Sequence, residues 1–144
     1  MIEAAADAGC NDLIVLHCIS SYPAPIDQSN LRTMMDLRNR FGVQVGLSDH
    51  TTTNTASIVA TSLGASLIEK HFILDRNDKG PDSSFSIMPE ELEKLCQETN
   101  DAWLSMGEAG YERKEAEKGN VKFRRSVYFV KHLKAGEVIT RDSI

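Results

Sequence analysis

The chain is poor in cysteine, in targeting signals and in uninterrupted apolar sequence. Its three cysteines, Cys10, Cys18 and Cys96, form no CxxC pair. An odd count of this kind suits reduced thiols better than a disulfide framework. The opening MIEAAADAGC has neither a basic stretch nor an apolar core, so it does not read as a signal peptide. One uncharged run of nineteen residues extends from His50 to Ile68, but the Thr, Ser and Asn within it argue against a membrane span. No internal repeat or low-complexity tract interrupts the sequence. These absences lead us to expect a cytoplasmic protein with no membrane partner.

What is present suits a soluble globular chain. Of 144 residues, 41% are hydrophobic and 26% charged, enough apolar material for one core or for parts of two. The net charge of −5 is unevenly spread. Residues 1–106 hold 7 Lys/Arg against 15 Asp/Glu, giving −8, whereas residues 107–144 hold 9 against 6, giving +3. A boundary near 107 follows. The basic residues beyond it alternate with glutamates, so no nucleic-acid partner is expected.

Hydrophobic patterning gives the order β-α-β-α-β-α. DLIVLHC (12–18), bounded in front by Asn11 and Asp12, reads as a buried strand. SSYPAPIDQSN follows as a loop, since its two prolines forbid helix. NLRTMMDLRNRF (30–41) places Leu31, Met34, Met35, Leu37 and Phe41 near one helical stripe, ended by Gly42. A second strand is expected over 43–48, a short helix over 54–64 and a third strand over 66–72. The longest helix, over 88–107, has Pro89 near its first position and an acidic first turn. Its stripe is Leu92, Leu95, Cys96, Thr99, Trp103 and Met106. Residues 107–122 read as a linker. A β-rich run over 126–130 and a short strand in VIT (138–140) suggest the start of a second unit over 123–144.

The strand ends carry the chemistry. Parallel strands in such an order all emerge on one face, where ligands bind. The first ends in HCISSYP, the second in LSDHT and the third in EKHF, each apolar inside and polar at its carboxyl end. Neighbouring strands lie about 4.8 Å apart, so His50 and His71 can reach one pocket. Two imidazoles with Asp49 and Glu69 beside them suit a divalent metal that keeps open positions for substrate. Either histidine alone could instead be a hydrogen-bonded core residue. His17 reads as structural, His132 as exposed, and the carboxylates of PEELEKLCQE as a solvated helix face. Tyr22 could pack or touch a ligand; Asp82, in the KGPDSSF turn, could form the turn or reach into a site.

LHCISSYPAP, VGLSDHT, GASLIEKHFILD, GPDSSFS and RRSVYFVKHLKAGEVIT, in this order and spacing, resemble the sialic acid synthase family. Members condense phosphoenolpyruvate with an acetamido-hexose to make nine-carbon 2-keto acids, releasing phosphate. GPDSSFS and FRRSVY are most similar to the pseudaminic acid synthase branch, with N-acetylneuraminate synthase as the alternative. The resemblance implies that His50 and His71 bind the metal, with Mn2+ ahead of Mg2+ or Co2+. It implies that Ser48 and Ser20 contact phosphoenolpyruvate and that Tyr22 and Asp82 contact the sugar. Glu69 and Asp49 become the candidate catalytic carboxylates, and Ser20 departs from members with Asn there. The implied fold is the last three βα units of a TIM (β/α)8 barrel (1–106), a linker, and the start of an antifreeze-like SAF domain. The family also implies a domain-swapped homodimer.

Three strands cannot close a barrel, so an unpaired edge and an uncovered inner face are expected. On this reading the chain is a fragment with little turnover of its own. A small open α/β domain that binds a ligand or partner without catalysis is the competing reading. A barrel-type metal hydrolase would need more His and Asp ligands than this spacing supplies.

Overall fold

A three-stranded parallel sheet organises the first of two units in the computed structural model, which describes residues 1–10, 12–77 and 79–144. Asn11, read above as part of a strand boundary, lies outside the described residues. The first unit is Met1–Gly107 and the second Glu108–Ile144.

The first unit runs α1 (Ile2–Asp7), β1 (Ile14–Cys18), α2 (Arg32–Phe41), β2 (Gln44–Asp49), α3 (Thr55–Ser62), β3 (Ile68–Lys70) and α4 (Pro89–Met106). The strands lie in the order β1-β2-β3, all parallel. Cys18 pairs with Ser48 and Ser48 with Glu69, so these three residues form one row across the sheet. The alternating βα order therefore gives the expected architecture, with each crossover helix returning the chain to the same sheet edge direction.

Side-chain alternation divides β2 into two faces. Val45 and Leu47 face the helices and form the core with Met34 of α2 and Ala56 and Ala60 of α3. Leu31, Leu37, Leu63, Ala65 and Ile68 close its rim. Gly46 and Ser48 face the other way. A Cβ at Gly46 would collide with the Leu67 carbonyl and the Leu16 side chain, so only glycine admits this close approach of β3. Gly42 ends α2 in the left-handed conformation, at φ 65°, and its amide donates to the Arg38 carbonyl at 2.9 Å. At the start of α4 the Met88 amide donates to Glu91 at 2.8 Å, which explains the acidic first turn.

Several expectations need correction. β1 is not buried: none of its residues is, because it is an edge strand with β2 on one side only. The α4 stripe is mostly exposed; Leu95 is buried, but Trp103 is 62% exposed, and the element α4 packs against within the first unit is α3. α1 was not foreseen. It is six residues long and buries nothing, so only its Glu-Ala-Ala-Ala run favours helix.

The second unit holds 3-10 turns at Glu115–Phe123 and Arg141–Ser143 and no strand among its described residues. The strands expected over 126–130 and 138–140 are absent. A β-prone run needs a partner for its backbone groups. Here the Val130 amide donates instead to the Ser143 carbonyl at 3.0 Å, beyond the second segment. The longer 3-10 turn covers the end of the expected linker and runs one residue past it. No helix among the described residues is long and apolar enough to cross a membrane.

Candidate functional site

His50 follows the last residue of β2 and His71 follows the last residue of β3. Their rings lie 5.1 Å apart, centre to centre, at 66° to each other. Two imidazoles bound to one ion through nitrogens at ~2.0–2.1 Å hold their ring centres roughly 5 Å apart. The separation of the ring centres is compatible with a shared divalent ion.

Both rings are approached at Nδ1, and His50 Nε2 lies 3.5 Å from Ser48 Oγ, a long contact. His50 Nδ1 donates to the Ile19 carbonyl at 2.9 Å; a carbonyl can only accept, so in the neutral ring the free lone pair is on Nε2. His71 Nδ1 lies 3.3 Å from Asp82 Oδ2, the carboxylate–imidazole arrangement that orients ligating histidines. Asp82 sits in the turn over 81–85, so its place in the sequence as a turn former and its reach toward the site are both realised.

Around the pair, the side chains fall by strand parity. Ser48 Oγ donates to Glu69 Oε1 at 2.7 Å, and both stand on the same face as the histidines. Ser48 is buried while Glu69 is exposed, so the carboxylate borders the open side. Tyr22 stacks on His50 with ring centres 4.4 Å apart, and lies 5.7 Å from His71. Phe85 packs on His71 at 5.1 Å and on Tyr22 at 5.7 Å. The loop carrying Tyr22 is tied to β2 by the Ala24 amide, which donates to the His50 carbonyl at 2.9 Å.

Asp49 does not join this group. It has the opposite parity to Ser48 and His50, faces the helices, and is buried against Lys70, Ser57 and the Thr51 amide. Its expected place among the converging carboxylates is thus corrected. Ser20 is exposed in the loop after β1, and its side chain takes part in none of the hydrogen bonds of the cluster. Among the described residues no group of three or more His, Cys, Asp or Glu side chains is placed to hold a metal ion. His17 is structural as expected, its Nε2 lying 2.7 Å from the Ser29 carbonyl, and His132 is exposed.

Two contributors escaped the sequence. Phe85 was legible only as the last letter of a turn motif. The Ile19 carbonyl carries no sequence identity at all, because any residue there would present it.

The sequence model of the NeuB family matches residues 1–111. The N,N'-diacetyllegionaminic acid synthase of Campylobacter jejuni is 36% identical over 150 aligned positions, which cover 99% of this chain and 45% of that protein. The pseudaminic acid synthase of Helicobacter pylori is 39% identical over 135 residues, covering 92% of this chain and 39% of that protein. Among solved structures, the N-acetylneuraminic acid synthetase of Leptospira borgpetersenii serovar Hardjo-bovis, in complex with citrate, is similar with a TM-score of 0.65 and 34% identity. That match covers 77% of this chain and 39% of the solved one. The chain spans less than half the length of the curated relatives it matches.

Proposed function

We propose, since this chain belongs to the NeuB family, that its strand ends form the metal-facing half of a nonulosonic acid synthase site. The reaction joins C3 of phosphoenolpyruvate to the aldehyde carbon of an open-chain acetamido-hexose, adds water at C2 and releases phosphate. The observation that carries this reading is the His50–His71 pair, 5.1 Å apart at the ends of adjacent parallel strands, with Ser48 and Glu69 on the same face.

A divalent ion held by His50 and His71, Mn2+ first and Mg2+ or Co2+ as substitutes, would supply Lewis-acid polarisation of the sugar's aldehyde oxygen. The remaining roles belong to side chains. Tyr22 lies against both imidazoles and Phe85 against His71, and the exposed Tyr22 offers a surface for the sugar. Ser48, and Ser20 from the loop after β1, are proposed to hold phosphoenolpyruvate. Glu69 borders the open side with one oxygen engaged by Ser48, leaving the other to take a proton from the water that adds at C2. Asp82 orients His71 and stands where it can also reach a sugar hydroxyl. Placing both substrates on one rigid sheet end turns their encounter into a positioned reaction.

On the same proposal the three βα units are the last three of a (β/α)8 barrel, and residues 123–144 begin an antifreeze-like domain. The likeness of the sheet to a solved synthetase supports the first point. The domain-swapped homodimer goes with the antifreeze-like domain. Identities of 36% and 39% to legionaminic and pseudaminic synthases do not separate those substrates. GPDSSFS and FRRSVY favour the pseudaminic type.

The test is a chimera in which residues 1–107 replace the matching region of the Helicobacter pylori relative. With phosphoenolpyruvate, Mn2+ and an acetamido-hexose, the chimera is expected to form the nine-carbon acid with one phosphate per sugar, detected by mass spectrometry. Its His50→Ala form should lose at least about 100-fold, because changes to groups that merely orient ligands already cost 10–100-fold. The 144-residue chain alone should show no comparable turnover. A folded chimera without product, or one indifferent to His50→Ala, would contradict the reading.

A further inference from the structure

Behind the two histidines, on the helix-facing side of the sheet, lies an ion pair that the proposed chemistry does not use. Lys70 Nζ is 2.9 Å from Asp49 Oδ2, and the two side chains are 4% and 1% exposed. We propose that this pair is a positioning device: it fastens the ends of β2 and β3 and so sets the spacing of His50 and His71.

The ladder explains why a fastener is needed there. β2 and β3 pair over three residues, and the last pair is Asp49 with Lys70. The next residues are the histidines, and their backbones are bonded to other segments. The His50 carbonyl accepts from the Ala24 amide at 2.9 Å, and the His71 carbonyl accepts from the Ile87 amide at 2.8 Å. Past the last ladder pair, the two chains thus turn to separate partners. The ion pair sits at the point of divergence, one residue behind each imidazole.

Its hydrogen bonding reaches along the segment that holds His50. Besides Asp49, the Lys70 ammonium donates to the Thr51 carbonyl at 2.7 Å and, more weakly, to the Thr53 carbonyl at 3.4 Å. All three of its protons are therefore directed at acceptors. Asp49 accepts from the Thr51 amide at 2.8 Å and from Ser57 Oγ of α3 at 2.6 Å. Residues on both sides of His50 are held through one ammonium group, and α3 is tied to the same point. A buried ion pair adds little stability relative to a well-packed apolar pair, so its retention suits a role in fixing geometry.

The effect on metal binding rests on the proposed role of the histidines; the effect on their geometry does not. The experiment uses the full chain with labelled histidines, as the native sequence and as Asp49→Asn/Lys70→Met. The double variant removes both charges together, avoiding the unpaired buried carboxylate that Lys70→Met alone would leave. In the native chain, nuclear magnetic resonance should show the Nδ1–H tautomer of His50 and contacts between the His50 and His71 rings. In the variant, with its core methyl spectrum unchanged, the ring contacts should be lost and the His50 tautomer mixed. Mn2+ affinity should fall about 10–100-fold, as for other groups that orient metal-binding histidines. Ring contacts and tautomer unchanged in the variant would overturn the proposal. If the native chain itself fails to bind Mn2+, the metal reading falls, and the ring contacts still decide the positioning role.

Discussion

Lys70→Met alone is expected to destabilise the first unit by about 3–5 kcal/mol, the usual cost of stripping one partner from a buried ion pair. Asp49 has no water to turn to, since its side chain is 1% exposed. Its remaining donors, the Thr51 amide and the Ser57 hydroxyl, are neutral and cannot balance a full charge. The Thr51 carbonyl would lose its ammonium partner as well. Adding Asp49→Asn should restore most of the loss, because Asn can still accept from the Thr51 amide while its amide group addresses Ser57. Urea unfolding of the four chains in the cycle measures this. A Lys70→Met chain as stable as the native one would show that the pair is already solvated.

Met34→Ala is expected to be the most damaging change in the apolar core, at about 2–5 kcal/mol. Met34 is fully buried between α2 and β2, against Val45, Leu47, Ala56 and Ala60. Two of those neighbours are alanines, too short to move into the space left behind, and Gly46 offers no side chain from the opposite face of the strand. Net stabilities of single domains are of order 5–15 kcal/mol, so such a loss approaches the whole margin. Met34→Leu conserves volume and should cost less than about 1.5 kcal/mol. Equal midpoints for the Ala and Leu variants in chemical denaturation would mean that the core is looser than its contacts indicate.

The sequence was most informative where local pattern and tertiary role coincide. α2 was legible because Leu31, Met34 and Leu37 recur at helical spacing and Gly42 supplies the left-handed stop. β2 was legible as an apolar run with polar residues where it leaves the core, and those residues led directly to His50 and His71. Asp49 was misplaced for a reason the sequence could have supplied. Adjacency to His50 suggested a shared pocket, but strand alternation sends neighbours to opposite faces, and only Ser48 has the parity of His50. Glu69 and His71 share one parity, and Lys70 the other.

Other features depended on what lies beside an element. β1 has the composition of a buried strand but sits at the sheet edge, and nothing in DLIVLHC records which strand is its neighbour. The stripe of α4 is apolar by design of the sequence, yet only Leu95 finds a cover. The residues over 126–130 have strand propensity without a pairing partner, and the exposed Val127, Tyr128 and Phe129 show the outcome. Likewise, the Ile19 carbonyl that fixes the His50 tautomer could be found only once the loop after β1 was folded over the end of β2.

The central claim is that His50 and His71 act on one metal ion. Pulsed electron paramagnetic resonance of Mn2+ added to the 144-residue chain counts the imidazole nitrogens bound to it. Two are expected in the native chain, one in His50→Ala and one in His71→Ala, and none when both are replaced. Mn2+ without imidazole coupling in the native chain, or a coupling pattern the two substitutions leave unchanged, would contradict the account.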